Sequence, residues 1–423
     1  MSTPEHLREL RRDLHRHPEP AWREFYTTAR IVDELETRPL DALYVGPEVL
    51  GGERRVVPDD ADLTTWLDRA RAAGAREDVL DRLTGGNTGV LAVLERGEGP
   101  TVALRVDIDA LPVTEADGDD HHPAREGFRS ETEGFMHACG HDAHTTVGIG
   151  VVDAILESEF QGTLKVVFQP AEEVIGGGEP VVAGGHLDDV DYLLAVHVGL
   201  GHPTGEVVTG IDEFLAVNHL SVAFHGESAH AGTSPELGRN ANLALATAVQ
   251  NLHAIPRHGD GATRVNAGVI SGGTASNIVA EEAELEAEVR GETTALMEYM
   301  TDHAERVVRA AGEMHDCEVE CESVASAPSA VSDPELADVV GAVASSVDGV
   351  DSVVPAAALG GSEDATFLMR HVQERGGKAT YVVVGTDHPT GHHTPRFDVD
   401  EDSIGIGIET LAGAIERIAA ERP

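Results

Sequence analysis

The stretch "TVALRVDID", residues 101–109, is an apolar run of strand length that ends in two carboxylates. Similar runs rich in Val and Leu occur at "GVLAVLE" (89–95), "TLKVVFQ" (163–169) and "YLLAVHV" (192–198). Helix-like segments lie between them, "HTTVGIGVVDAILES" (144–158) being the longest. Strands alternating with helices define an α/β domain on a largely parallel or mixed sheet. Upstream, residues 5–36 carry apolar positions at three- and four-residue spacing, interrupted by "HPEP", and read as helix. "ADLTTWLDRARAAGA" (61–75) reads as another.

From about residue 213 the pattern changes. A strand, "HLSVAFHG", precedes a helix, "RNANLALATAVQNLHAI". Strands "TRVNAGVIS" and "NIVAEEAELEAEVRG" follow, then a helix, "TALMEYMTDHAERVVRAAGEM", and a last strand, "CEVECESV". This β-α-β-β-α-β order is ferredoxin-like. A helix near 333–346, the loop "ALGGSEDATF", the strand "ATYVVVG" and a C-terminal helix then resume the first texture. The expected organisation is one α/β domain over 1–212 and 323–423, with a smaller α+β domain inserted over 213–322.

Composition bounds the function. There are 75 acidic residues against 30 basic ones, a formal charge of −45. The acidic residues are spread along amphipathic segments such as "VAEEAELEAEVRGE", which describes a solvated acidic surface rather than a tail. Repulsion on this scale opposes compactness at low salt. The expected setting is therefore a high-salt cytoplasm, where screening shortens to ~3 Å at 1 M. Nucleic-acid binding, which needs basic patches, is excluded. No apolar run approaches the ~20 residues of a membrane span, and the charged N-terminus shows no secretory signal. Three cysteines, Cys139, Cys317 and Cys321, do not make a disulfide framework.

The stretch "FMHACGHDAHTT" (135–146) concentrates chemistry: Cys139 lies two residues before His141, with His144 close by. By itself it leaves Cys139 as nucleophile, redox partner or metal ligand. Further candidates follow other strands. "FQPAEE" supplies Glu172 and Glu173, "LLAVHVG" supplies His197, and "GTDHPTGHHTPRFD" supplies His388, His392 and His393. Catalytic groups in open α/β folds collect at the carboxyl ends of strands. Thiolate, imidazole and carboxylate together suit Zn²⁺, with Mn²⁺ or Co²⁺ as alternatives. Of two adjacent carboxylates, one can coordinate while its neighbour handles protons.

"MHACGHDAH", "FQPAEE", "AVHVG", "HGESAHAGTSP", "GGTASNIV" and "GHHTPRFDVDED" resemble the M20 metallopeptidase/amidohydrolase family, and the likeness runs over almost the whole chain. The subgroup it is most similar to holds aminoacylase-like, hippurate and auxin-conjugate hydrolases. The resemblance implies a zinc-peptidase-like catalytic domain, a mixed sheet flanked by helices, with an inserted lid and dimerisation domain. It implies two divalent metal ions held by Cys139, His141, Glu173, His197 and His393, with Glu172 as general base. His393, rather than His392 or His388, follows from the spacing to "TP". Asp107 and Asp109 are expected behind the ligands, orienting them. His230 matches a histidine that stabilises the oxyanion, often from the partner subunit. Asn277 and Arg290 match residues that hold a substrate carboxylate, and Gly360 and Gly361 belong to a glycine-rich active-site loop. The implied substrate is a small N-acyl or N-aroyl amino acid, cleaved by a homodimer or by a heterodimer with a related chain. A cysteine hydrolase built on Cys139 with His141 or His144 is the second expectation, and a non-catalytic sister subunit the third.

Overall fold

The computed structural model describes residues 3–388 and 390–423. Helices Glu5–Arg16 (α1) and Phe25–Leu35 (α2) come first, separated by Pro18 and Pro20, which cannot continue a helix. Strand Ala42–Val45 (β1) and helices Asp60–Ala72 (α3) and Glu77–Leu80 (α4) follow. Strands Val90–Arg96 (β2) and Thr101–Asp107 (β3) lead through His122–Glu126 (α5) to the long helix His141–Leu156 (α6). Then come Gly162–Gln169 (β4), Gly178–Ala183 (α7), Tyr192–Val198 (β5) and Glu206–Val208 (β6).

The middle of the chain holds Ala216–His225 (β7), Ala229–His230 (β8), Ala241–Leu252 (α8), Thr263–Gly272 (β9), Ile278–Val279 (β10), Glu282–Gly291 (β11), Thr294–Met314 (α9) and Glu318–Ala327 (β12). The chain closes with Pro334–Ala344 (α10), Ser352–Val354 (β13), Ala365–Glu374 (α11), Lys378–Val384 (β14) and Asp402–Glu421 (α12). No described helix is long and apolar enough to cross a membrane.

Two compact units result. One comprises residues 3–212, 330–359 and 363–423 apart from 389, and the other 213–329 and 360–362. The first is built on an eight-stranded mixed sheet in the order β1-β2-β4-β3-β5-β14-β6-β13. Its centre, β4-β3-β5-β14, is parallel, so these four strands end at one edge of the sheet. Register fixes that edge, with Asp107 opposite Gln169 and Val383 opposite His197. Helix α6 is buried from His141 through Val152, its polar first turns included.

The second unit is a four-stranded antiparallel sheet in the order β12-β7-β11-β9, covered by α8 and α9. The order is that of the ferredoxin-like arrangement. Three local readings need correction. "NIVAEEAELEAEVRG" is two strands, because Ala280 and Glu281 interrupt it: Ile278 and Val279 pair with β8, and only Glu282–Gly291 joins the sheet. The strand read at "CEVECESV" runs on to Ala327 opposite Val217, which carries this unit past 322 to Ser329. The segment after Asp364, read as loop before a strand, forms α11 with Leu368, Met369 and Val372 buried.

Candidate metal and active site

Four segments bring the side chains together, each from a carboxyl end of the parallel strands or from the start of α6. Cys139 and His141 flank Gly140, the N-cap of α6, which sits at φ +88° with Val198 Cγ2 2.6 Å from where a Cβ would lie. That close approach and backbone require glycine. Glu172 and Glu173 follow β4 in a turn where Ala171 takes φ +55°. Two buried carboxylates fix this turn. Glu24 accepts from the Ala171 N–H at 2.8 Å, and Asp109 accepts from the N–H groups of Glu172 and Glu173 at 3.1 and 3.0 Å. A non-glycine residue at positive φ persists only when its surroundings hold it there.

The candidate donors converge. Cys139 Sγ lies 3.3 Å from His197 Nε2, and His393 Nε2 lies 3.5 Å from a Glu173 oxygen. Cys139, His141 and His197 place donor atoms within 4.8 Å of one another, and so do Cys139, Glu173 and His393, and His141, Glu172 and Glu173. His197 Nδ1 donates to the Val198 carbonyl at 2.7 Å, which leaves Nε2 with its lone pair toward Cys139. Both ring nitrogens of His141 and Oε1 of Glu173 are buried without a hydrogen bond. Orphaned buried donors and acceptors of this kind call for a partner. The carboxylates around them call for positive charge. Burial, then Glu363 and Glu173, pushes Glu172 well above the usual carboxylate range. Burial likewise pushes Glu173 to about 8 and Glu363 to about 7. A divalent cation among S, N and O donors answers both needs, so the residues fit a metal ion.

Asp107 and Asp109 stand beside these groups, and Asp107 shares a donor cluster with His141 and His144. Asp109 stands 3.3 Å from His141 Nδ1 as well as holding the glutamate turn. Asp107 accepts from His144 Nδ1 at 2.5 Å and from Arg105 at 2.6 Å. Burial works against its charge, but His141 and Arg105 outweigh it and keep it ionised. His144 Nε2 accepts from the Val198 N–H at 2.8 Å, so both its nitrogens are engaged and it is not free to ligate. His392 packs on His197 and bonds the Val198 carbonyl, and His388 bonds Thr390 O, so of the three histidines His393 alone meets Glu173. Cys139 is pushed well above its ordinary value, first by burial and then by Glu173 and Glu172. This opposes the thiolate a cysteine nucleophile needs. Cys317 and Cys321 are free thiols in the second unit.

The remaining residues lie in the second unit. His230 Nδ1 accepts from the N–H groups of Gly232 and Thr233, each at 3.1 Å, so Nε2 carries the proton. Asn277 is exposed, and its carbonyl accepts from Ala231 N–H beside His230. Arg290 lays its fork on Glu288 at 3.1 and 3.0 Å, so an incoming carboxylate would compete with Glu288. Gly360 takes φ +69°, and the Gly361 carbonyl accepts from Leu215 N–H.

Sequence reasoning gave no role to Arg105 or Gln169, and took Glu363 and Asp364 only as part of the glycine-rich loop from Gly360 to Asp364. Arg105 is fully buried, and besides Asp107 it donates to Gln169 Oε1 at 3.0 Å and to Asp364 at 3.1 Å. Its signal was available: two residues before Asp107 on a strand, it must share Asp107's face.

A class follows from comparison. Residues 103–417 match the model of peptidase family M20/M25/M40, and the chain belongs to that family. The pieces "WREFYTTA", "GPEVL", "ALRVDIDAL", "DDVDYLLAVHVG" and "GSEDATFLM", with the insertion around 45–85, resemble one of the chains of p-aminobenzoyl-glutamate hydrolase. The matching chain of the p-aminobenzoyl-glutamate hydrolase of Escherichia coli (strain K12) is 41% identical, over 96% of this chain and 94% of that one. The indole-3-acetyl-aspartic acid hydrolase of Enterobacter agglomerans is 42% identical, with the same two shares covered. The crystal structure of the aminobenzoyl-glutamate utilization protein from Klebsiella pneumoniae superposes with a TM-score of 0.83 at 37% identity, covering 99% of this chain and 96% of that one.

Proposed function

We propose that this chain is a metal-dependent amidohydrolase that cleaves an N-acyl or N-aroyl amino acid of the p-aminobenzoyl-glutamate type, releasing a carboxylic acid and an amino acid. The carrying observation is the meeting of Cys139, His141, Glu173, His197 and His393 from four segments, with Glu172 beside them. These five would hold two divalent ions, Zn²⁺ or Mn²⁺ with Co²⁺ as a substitute. When bound, such ions polarise an amide carbonyl and lower the pKa of a water. Glu172, within 4.8 Å of His141 and Glu173, would take the proton of the attacking water and return it to the leaving nitrogen. Asp109 keeps Glu172 and His141 in register. The tautomer of His230 suits a donor to an oxyanion, and Asn277 and Arg290 with the Gly360–Gly361 loop would receive the amino-acid carboxylate.

The test is a panel of p-aminobenzoyl-glutamate, indole-3-acetyl-aspartate, hippurate and acetylated amino acids. Turnover should appear on an aroyl or aryl-acyl member, vanish with a chelator and return with Zn²⁺, Mn²⁺ or Co²⁺. Full activity in a metal-stripped preparation would overturn the proposal. The charge of −45 supports a high-salt cytoplasm as the working medium. Activity and thermal midpoint should both rise between about 0.1 and 2 M KCl, as the screening length falls toward ~3 Å.

The working form would be a dimer through the inserted unit, with an identical chain or a sister subunit. The two sheet edges differ. β12 is guarded by Glu318, Glu320 and Glu322, whereas β9 exposes Val269 and Ile270 at 54% and 58%. An apolar unpaired edge is a template for another strand, and charged edges resist it. Light scattering should give twice the 44.6 kDa chain mass, and Ile270→Asp should return it to one. A monomeric wild type in isolation would point to the sister subunit instead.

A further inference from the structure

One carboxylate in the first unit has no task in the proposed reaction. Glu363 is 7% exposed, and its Oε2 has no hydrogen-bond partner among the described residues. The nearest cation is Arg105 at 3.9 Å, whose N–H groups go to Asp107, Gln169 and Asp364. Leaving a buried polar atom bare forfeits its hydration with nothing in return, and the loss is greater for a charged one. Something beyond the described side chains should therefore donate to it.

A metal ion fits poorly there. Glu363 groups with Asp107 and Glu172 within 4.8 Å, and in no group with Cys139, His141, His197 or His393. A cation held by that trio would face the Arg105 guanidinium, 2.6 Å from Asp107, and the other Asp107 oxygen is already taken by His144. A neutral N–H donor meets no such repulsion.

The reaction brings one donor to this place. The leaving nitrogen must reach Glu172 to receive its proton, and Glu363 places a carboxylate oxygen within 4.8 Å of one on Glu172. A tetrahedral nitrogen that donates to two oxygens at ~2.9 Å sets them ~4.7 Å apart. The two carboxylate oxygens, no more than 4.8 Å apart, leave room for such a nitrogen between them.

We propose that Glu363 accepts the N–H of the scissile amide and holds that nitrogen with its lone pair toward Glu172. The inference rests on the proposed hydrolysis. As the water oxygen bonds to the carbonyl carbon, Glu172 takes the water's proton. As the C–N bond breaks, that proton passes to the nitrogen, which keeps its own hydrogen and donates it to Glu363 Oε2. Glu363 accepts throughout and exchanges no proton.

An ester separates this role from a structural one, since it has no N–H to offer. The probes are p-aminobenzoyl-glutamate and the matching p-aminobenzoate ester of 2-hydroxyglutarate. Glu363→Ala should lower kcat/KM on the amide about 10²-fold, the scale of one lost transition-state hydrogen bond, and on the ester by less than about 3-fold. Glu363→Gln, whose amide oxygen can still accept, should lose about 10-fold on the amide alone. Metal content should match wild type in both variants. Equal losses on the two probes, or loss of metal, would overturn the assignment while leaving the proposed function standing. A wild type that cleaves neither probe would remove the reading on which it rests.

Discussion

A Glu172→Ala protein should keep its metal and lose its turnover, by about 10³–10⁴-fold in kcat, the upper range for removing a general acid–base group. Cys139→Ala should lose both. The two residues differ in what surrounds them. Glu172 is nearly buried among carboxylates, with Glu363 and Glu173 foremost, so its carboxyl is shaped to carry a proton. Cys139 faces the lone pair of His197 at 3.3 Å and shares a donor cluster with Glu173 and His393. A thiol raised this far by burial and negative charge becomes a thiolate only against a cation. Elemental analysis alongside kcat reads both outcomes. Unchanged turnover in Glu172→Ala would make this chain the non-catalytic partner of a sister subunit. Retained metal in Cys139→Ala would remove that residue from the ligand set.

The parts of this site legible in the sequence are those where a short motif carries its own geometry. "HACGHD" puts Cys139 and His141 on either side of the glycine that starts α6, and "FQPAEE" puts two carboxylates just past a strand. The parallel strands were legible as apolar runs, and parallel strands deliver their ends to one edge. The inserted sheet was legible from element order, and its strand β11 alternates cleanly, with Ala283, Leu285, Ala287 and Val289 buried.

What escaped was set by tertiary pairing. Glu363 and Asp364 look like loop charges beside two glycines, and only Arg105, 259 residues from Asp364, gives them a meaning. Arg290 shows the reverse. Its residue type suits a carboxylate clamp, but the fork is on Glu288, two positions earlier on the same strand face. Three-residue strands such as β6 and β13 carry too little pattern to stand out, and exist because β14 and each other supply their partners.

The largest stability effect should come from Arg11, which stands out along α1 only as a cation inside an apolar stripe. Leu7, Leu10 and Leu14 share its buried face. Arg11 is wholly buried, 2.9 Å from Asp142 and 2.7 Å from Asp398, with Glu401 at 3.7 Å. Arg11→Met would remove the guanidinium shared by two buried carboxylates, leaving Asp142 only His15 and Asp398 only His122, and unfolding free energy should fall by about 3–5 kcal/mol. His15 stands beside it, 2.7 Å from Asp142 and 3.1 Å from Glu115. Burial and Arg11 oppose its charge, yet Asp142 and Glu115 raise it to about 9. A histidine raised on folding stabilises fully below its unfolded pKa of ~6.5, and that contribution is lost as pH climbs through the folded value. Unfolding free energy from denaturant titrations should therefore decline between pH ~6.5 and about 9, by an amount of order 3 kcal/mol, and His15→Gln should flatten the slope. On the acid side Glu115, against whose charge burial works, is drawn down to about 2 by His121 and His15, so its contribution holds above its unfolded range and fades toward that value. Asp142 follows His141 in sequence and accepts from the N–H of Ala143 at 2.9 Å. Loosening Arg11 should therefore also weaken metal affinity, measured by titration of the stripped protein. An Arg11→Met chain that unfolds earlier yet binds metal as tightly would show that the ligand cluster is held by Asp109 and the glutamate turn alone.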